Sequence, residues 1–409
     1  MRRKASLSPV TAAAMRIMVA AAVVVAVGCS TAAGAENRPA VRMLLGGEYW
    51  SMEPVQNREA YLNYLTRVKP DVIHAGVLGT QLASTIHTQG KFRAYSSIHP
   101  TDVTTIEAYL DWWRPYLDQI HDRGVKVQAI FSMTYAWGDH RQNTGFFKYY
   151  NDLWEDRLLG PKPHPHAAGL MQLTDRGQLV RDQVGYKGCV NNVYWRQSLK
   201  ALLRVGIQAG FDGAMVQFPY SDGPCSSAFC QQKFRAFLAG RYAPHVLAQK
   251  FGIHDLDRYV FDRHGMPDQM ALEARQFAAV SVKACFDDVF VGYGRSLNPD
   301  LIVSMWTHFR NFLVPTIGNT DFGRITDERA LLPIHLWGKG ENYTWHCSPM
   351  RPDGEFRLGN GFTGDQTLEY KFARAMAADV PALIQKYDPV RWRVNAAEAL
   401  ALGGVVFGV

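Results

Sequence analysis

The stretch VYWRQSLKALLRVGIQAGFDGAMVQF, residues 193–218, decides the fold class, because a helical pattern changes into a strand pattern within it. Apolar residues between Leu199 and Ile207 recur at the spacing of one helix face. Gly210 ends that helix, and residues 211–218 form a short apolar run of the kind found in buried strands. A helix that leads directly into a buried strand predicts an α/β protein with a parallel sheet.

The same alternation extends outward to both ends of the chain. It predicts eight strands, at residues 41–45, 71–78, 125–133, 211–218, 301–306, 331–337, 381–387 and 405–409. Pro115 is expected to kink or split the helix that precedes the third strand. Eight such units predict a single domain over residues 36–409, a (β/α)8 TIM-type barrel of the α/β class without a helix after its last strand. Residues 134–189 are too many for a plain connection and are expected to cover the barrel mouth.

The N-terminus has the pattern of a bacterial export signal. Basic residues at positions 2–4 precede an apolar run at residues 17–28, which is too short to anchor the chain across a bilayer. Cleavage after the Ala-Gly-Ala of residues 33–35 would give an ordinary exported protein, whereas cleavage before Cys29 would give a lipoprotein. Both routes remain open. Residues 1–35 are therefore predicted to be a signal peptide, and the protein is expected in the periplasm, in the cell envelope if Cys29 is lipidated, or outside the cell.

Charge and cysteine content narrow the classes of partner. The chain carries +7, and because the predicted leader has four basic residues and no acid, the remainder carries +3. That charge is too small to indicate nucleic acid. No phosphate loop, dinucleotide fingerprint or paired zinc motif occurs, so the sequence predicts no cofactor and no metal. Cys225 can pair with Cys230 or with Cys189, and a disulfide or free thiols are favoured over a metal site.

The loops after the carboxyl ends of the strands of such a barrel converge on one mouth, where active sites lie. Glu341 follows the sixth predicted strand in a glycine-rich loop and is the predicted general acid, although a solvated loop acid fits as well. Asp222 is the first candidate for the nucleophile or base, and Glu48 is the second. Alternatives remain for both, because Ser-Asp-Gly-Pro around Asp222 fits a turn and Glu48 fits an ion pair.

Further side chains at these strand ends are predicted to contact the substrate. Aromatic faces stack on sugar rings, and amide, carboxyl and imidazole groups bind hydroxyls. The predicted contacts are Tyr49, Trp50, Trp137, Asp139, His140, Gln217, Tyr220, His308 and Trp337. For Asp139 and His140 a surface turn is the favoured alternative.

Two motifs then resemble a known family. Residues 188–196 (GCVNNVYWR) and 209–220 (AGFDGAMVQFPY), followed by Cys225, Cys230, Lys233 and Phe234, resemble the (β/α)8 glycoside hydrolases related to β-galactosidases and α-amylases. Residues 393–404 are similar to the last helix of that family. The resemblance implies a barrel that hydrolyses O-glycosidic bonds with a carboxyl pair.

One position departs from the pattern of the family. Its fourth strand usually ends in an acidic residue, and this chain has Gln217 there. A glutamine neither attacks nor exchanges a proton near neutral pH, and Asp212 is expected to have a structural role at the start of that strand. Two hypotheses follow: an exported glycoside hydrolase-like enzyme acting on a poly- or oligosaccharide, and a noncatalytic glycan-binding lipoprotein on a degenerate barrel. The sugar, the linkage and the oligomeric state stay open.

Overall fold

The structure, a computed structural model, describes residues 39–46, 57–88, 103–182, 184–217, 219, 224–261, 268–308, 332–347, 367–385 and 389–408. The predicted leader with Cys29 lies outside this part of the chain. Pro39–Val409 forms one compact unit. No helix in the described ranges is long and apolar enough to cross a membrane.

Eight parallel strands form a nearly closed barrel, which confirms the predicted fold class. The described residues contain ten strands, eight of them in the barrel and two, β4 and β5, outside it. They are β1 (Met43–Leu45), β2 (Val72–Leu78), β3 (Lys126–Ser132), β4 (Tyr135–Ala136), β5 (Tyr186–Lys187), β6 (Gly213–Gln217), β7 (Ile302–His308), β8 (Thr344–Cys347), β9 (Ala382–Gln385) and β10 (Val406–Gly408). Their order in the main sheet is β10-β1-β2-β3-β6-β7-β8-β9, and β4 pairs with β5 in a separate antiparallel ribbon.

Helices cover the outside of the sheet. The α-helices are Arg58–Val68, Gly79–Thr85, Ile106–His121, Phe146–Asp152, Asp156–Leu159, Val193–Gln208, Ala228–Ala239, Pro244–Phe251, Asp268–Phe286, Arg295–Leu297, Thr367–Met376 and Pro389–Leu402. The 3-10 turns are Ile86–Thr88, Ala167–Leu170 and Ile334–Leu336, and Asp287–Gly294 is a π-helix. The helix Ile106–His121 runs through Pro115 without being split into two.

Residues 193–217 fold as their pattern predicts, into a helix that leads to a strand. The Asn192 side chain accepts a hydrogen bond from the Tyr194 backbone N–H and caps the helix Val193–Gln208. The apolar face of that helix is buried against the sheet, where each leucine contributes roughly 1.5–3 kcal/mol. Gly210 has a φ of 108°, which favours glycine, and it turns the chain into β6.

Asp212 links three elements at the amino end of the barrel. Its Oδ2 accepts a hydrogen bond from the Val127 backbone N–H at 2.7 Å and lies 2.7 Å from Nε2 of His121. The carboxylate thus joins the start of β3 to the end of a helix, which confirms the expected structural role.

The sixth predicted strand, residues 331–337, is wrong. The described part of that apolar run forms the 3-10 turn Ile334–Leu336, and the sixth barrel strand is β8 instead. Gly338 and Gly340 have φ values of 64° and 81°, so the chain turns here before it enters the sheet. The apolar run packs outside the barrel.

The connection at residues 134–189 contains β4, β5, two short helices and a 3-10 turn. Its first aromatic residues, Tyr135 and Trp137, belong to the same buried cluster as Trp306 and Trp345 inside the barrel. The connection therefore begins over the carboxyl end of the barrel, where the sequence predicts a mouth.

Candidate functional site

Alternate residues of each strand face the barrel interior. On β3, for example, Ile130 belongs to the interior cluster, whereas Val127 and Phe131 belong to the core between sheet and helices. The same alternation, with the contacts given below, places these side chains inside: His74, Gln128, Ile130, Ser132, Met215, Gln217, Ile302, Ser304, Trp306, Tyr343, Trp345, Leu383, Gln385 and Phe407.

A satisfied amide occupies the lower interior. Gln128 accepts a hydrogen bond from the Tyr343 hydroxyl, and its Nε2 donates to Oγ of Ser304 at 3.3 Å and to the Ile302 backbone carbonyl at 3.4 Å. Burial raises the pKa of Tyr343, so its hydroxyl stays protonated as a donor. This layer closes the barrel below the mouth.

A second buried amide lies higher, at the end of β9. Gln385 is 3% exposed, and its Oε1 accepts hydrogen bonds from the indole N–H groups of Trp345 at 2.9 Å and Trp306 at 3.2 Å. The Trp345 ring also packs edge-on against His74, whose pKa burial lowers to about 3. The imidazole is therefore neutral, and the described inward-facing side chains around Gln385 carry no charge.

Gln217 ends β6, as the sequence predicts, and it is buried beside Ser132 of β3. Its backbone carbonyl accepts a hydrogen bond from the Met133 N–H at 3.3 Å. The described inward-facing side chains at the carboxyl ends of β3, β6 and β9 are thus a hydroxyl and two amides. The described strand ends contribute hydrogen-bonding groups but no carboxyl pair of the kind that glycoside hydrolysis requires.

The rim above these residues carries an ion pair that the sequence did not single out. Tyr135 donates a hydrogen bond to Oδ2 of Asp182, and Nζ of Lys187 lies 3.3 Å from the same oxygen. Burial alone would raise the pKa of Asp182, but the Tyr135 hydroxyl, the Lys187 charge and two backbone N–H groups lower it overall. Asp182 is therefore an ionised carboxylate and cannot act as a general acid near neutral pH.

Three predicted contacts, Trp137, Asp139 and His140, lie near this rim. The Trp137 ring packs 6.1 Å from that of Tyr135, so it is at the mouth. Asp139 accepts hydrogen bonds from the backbone N–H groups of Arg141 and Gln142, which lower its pKa, and thus closes a turn. His140 contacts the Tyr186 hydroxyl through Nδ1 at 3.0 Å. The turn alternative holds for Asp139, and ligand contact stays a prediction for both residues.

Glu341 and Trp337 lie at the other end of the barrel, because their strand is β8 and they precede it. Glu341 is 1% exposed, and its Oε2 accepts a hydrogen bond from the Met305 N–H at 2.9 Å. Trp337 packs against Phe372 in the outer layer and donates its indole N–H to the Leu332 carbonyl at 3.2 Å. Their expected place after a strand is thus corrected, and the reason is the misassigned sixth strand.

The remaining predicted residues are only partly covered. Glu48, Tyr49, Trp50, Tyr220 and Asp222 lie outside the described residues, and so does the side chain of His308, the last residue of β7.

Three cysteines converge outside the barrel interior. The Sγ atoms of Cys189, Cys225 and Cys230 all lie within 4.8 Å of one another, and none of the three forms a disulfide. Ser227 Oγ lies 3.4 Å and 3.2 Å from the first two sulfur atoms. Hydrogen bonding among the thiols raises the pKa of Cys189 and lowers that of Cys225. Three converging sulfur atoms have the arrangement that a thiophilic ion requires, although the sequence favours a disulfide or free thiols.

This chain is similar to known proteins in its fold. No protein-family model and no curated protein matches the chain. Among solved structures, it is similar to the β-galactosidase of the Antarctic haloarchaeon Halorubrum lacusprofundi, with a TM-score of 0.56 and 15% identity over 90% of this chain and 52% of that one. The β-galactosidase of Marinomonas ef1 gives a TM-score of 0.49 and 13% identity over 84% and 48%.

An α-galactosidase of Thermus thermophilus is also similar, with a TM-score of 0.42 and 11% identity over 91% of this chain and 58% of that one. The chain thus spans about half the length of these enzymes. The likeness to the Halorubrum lacusprofundi enzyme, at a TM-score of 0.56, shows a barrel fold. At such low identity the likeness extends to the fold alone.

Proposed function

We propose that this protein binds a poly- or oligosaccharide at the carboxyl-terminal mouth of a glycoside hydrolase-type barrel. One observation carries the proposal: Gln217 and Gln385 are the last residues of β6 and β9, and at these carboxyl-terminal ends they provide amides instead of carboxyls. An amide binds a sugar hydroxyl but does not transfer a proton in the hydrolysis of a glycoside.

The neighbouring groups support binding of this kind. Trp306 contacts Gln385 through its indole N–H, and Trp137 belongs to the same cluster inside the barrel. Sugar rings stack on aromatic surfaces of this kind. The described inward-facing side chains around these two buried amides carry no charge, which favours a neutral polar ligand over an ionic one.

Hydrolysis of O-glycosidic bonds is the second candidate function. Asp222 follows Gln217 by five residues, and Asp182 provides an ionised carboxylate on the rim. In this alternative Asp222 and Glu48 would supply the acid and the nucleophile or base, since Glu341 lies at the opposite end of the barrel.

One experiment separates the two functions. The purified protein without residues 1–35 is titrated calorimetrically with soluble oligosaccharides and incubated with the same compounds while released reducing ends are counted. Binding without release supports the proposal. If reducing ends are released and Asp222→Asn abolishes that release, the protein is a glycoside hydrolase. If the protein neither binds nor cleaves any compound of a broad panel, both functions are rejected.

We also propose that the protein is exported through residues 1–35. Intact mass spectrometry of the protein produced in a bacterial host tests this. A mature chain starting at Glu36 indicates ordinary secretion, a diacylated or triacylated Cys29 indicates a lipoprotein, and an uncleaved leader rejects export.

A further inference from the structure

The Gln385 amide is held in one orientation by its neighbours. An indole N–H can only donate a hydrogen bond, and the indoles of Trp306 and Trp345 both point at the same side-chain atom of Gln385. That atom must be the carbonyl oxygen, so the amide cannot be flipped. Its NH2 group therefore faces away from the two tryptophans.

The NH2 group has no hydrogen-bond partner within the part of the chain that the structure describes, although the side chain is 97% buried given its 3% exposure. Gln128, an inward-facing glutamine lower in the barrel, differs in this respect. Both ends of the Gln128 amide are bonded, to Tyr343 on the oxygen side and to Ser304 on the nitrogen side. A donor pair that two indole N–H groups hold in one orientation, and that no described residue engages, is available to a ligand acceptor.

The surroundings restrict the chemistry of that acceptor. His74 is neutral, and the other described inward-facing polar groups near the mouth are the hydroxyl of Ser132 and the amide of Gln217. Lys187 is a buried cation on the rim, and the carboxylate of Asp182 neutralises it at 3.3 Å. A carboxylate or sulfate ligand would gain no counter-charge from these described groups, whereas an uncharged oxygen needs none.

We propose that Gln385 is a specificity-determining residue that donates its NH2 group to an uncharged oxygen acceptor of a neutral saccharide. The acceptor is a ring oxygen, a hydroxyl lone pair or an N-acetyl carbonyl. This inference rests on the proposed saccharide-binding function and adds the class of sugar to it. The two tryptophans act as positioning residues, since they orient the amide through its oxygen.

The decisive variant is Gln385→Glu, studied at pH 8. A glutamate has the same length and can accept both indole N–H groups, but it presents an oxygen where the native residue presents donors. Gln385→Met serves as the second variant, because it keeps the volume and removes both the donors and the acceptor. Cellotetraose, β-1,4-galactotetraose and chitotetraose are the neutral probes, and tri-galacturonic acid is the charged one.

Calorimetric affinity for each probe is measured together with the indole N–H signals of Trp306 and Trp345 by NMR and the midpoint of thermal unfolding. We expect the native protein to bind at least one neutral probe more tightly than the charged one. Gln385→Glu should keep both indole signals and lose about tenfold or more of that affinity. Gln385→Met should lose affinity and also shift the indole signals.

The outcomes separate this inference from the proposal on which it rests. If the native protein binds none of these saccharides nor any of the broader panel, the proposed function fails and the inference fails with it. If it binds a neutral probe and both variants bind that probe equally well, saccharide binding stands and the role of Gln385 is rejected. Preference for tri-galacturonic acid would reject the assignment to a neutral sugar.

Discussion

The carboxylate of Glu341 accepts a hydrogen bond from the backbone N–H of Met305 at 2.9 Å. Glu341 precedes its strand, whereas the candidate site lies where strands end. A residue that the sequence nominates as an acid catalyst therefore bonds to the backbone of β7 from a segment that precedes β8.

Replacing Glu341 should consequently affect stability. In Glu341→Gln, the side-chain carbonyl can still accept the Met305 N–H, so we expect a small loss. Glu341→Leu leaves that N–H without its acceptor and should lower the free energy of unfolding by about 1–3 kcal/mol. Urea denaturation of both variants measures the difference. Loss of saccharide turnover in Glu341→Gln with unchanged stability would restore its catalytic assignment.

Trp137 and Trp337 lie in different parts of the protein, so their alanine variants test which end of the barrel binds the saccharide. Trp137 lies at the mouth, and Trp337 packs in the outer layer against Phe372. We expect Trp137→Ala to weaken saccharide binding by about tenfold, because it removes a stacking surface. Trp337→Ala should destabilise the fold by about 3–5 kcal/mol.

Saccharide affinity and the midpoint of thermal unfolding are measured for both variants to show at which end of the barrel the binding site lies. If Trp337→Ala loses affinity at a temperature where it is still folded, while Trp137→Ala does not, the site lies at the other end.

The His121 and Asp212 pair should make stability depend on pH. A hydrogen bond to Asp212 raises the pKa of His121 above 6.5, although burial opposes the shift. A group whose pKa is raised in the folded state stabilises the fold below its unfolded pKa and loses that contribution as pH rises through the folded pKa. The free energy of unfolding should therefore fall from pH 6 to pH 8.

Asp212→Asn is the control for this dependence, since asparagine can still accept the Val127 N–H but carries no charge. Urea denaturation at several pH values should show a shallower decline in the variant. Equal slopes in the two proteins would mean that other groups cause the dependence.

The rim ion pair gives a further prediction. Lys187 is 3% exposed and lies beside the carboxylate of Asp182, which also accepts a hydrogen bond from Tyr135. Asp182→Asn should lower stability by about 1–2 kcal/mol, a moderate amount because Asp182 is partly exposed.

Adding Lys187→Met to Asp182→Asn should recover part of that loss, because it removes the buried cation. Thermal unfolding of the single and double variants measures this coupling. Additive losses would contradict an ion pair that matters to the fold.

Local pattern predicted seven of the eight barrel strands but misplaced the sixth. Residues 331–337 are apolar and short, as a buried strand is, yet they pack between helices. A local pattern reports that a segment is buried and does not report which neighbour buries it. Because Glu341 and Trp337 were placed by that strand, one error moved two predicted site residues from the mouth to the opposite end.

Gln385 was missed for a related reason. It stands in the apolar run of residues 381–387, two residues after Leu383, so its inward direction follows from the period of a strand. Its importance depends on Trp306 and Trp345, which belong to two other strands. No spacing along the chain predicts that Gln385, Trp306 and Trp345 are in contact.

The sequence by itself determined the alternation of helices and strands, the parallel sheet and the barrel, because hydrophobic period and glycine position act over a few residues. It also determined that β6 ends in Gln217 instead of an acid. Only the tertiary structure decided which polar groups share the mouth, how the Gln385 amide is oriented and where Glu341 lies. Those properties depend on contacts between residues far apart in the chain, which the closure of the barrel brings together.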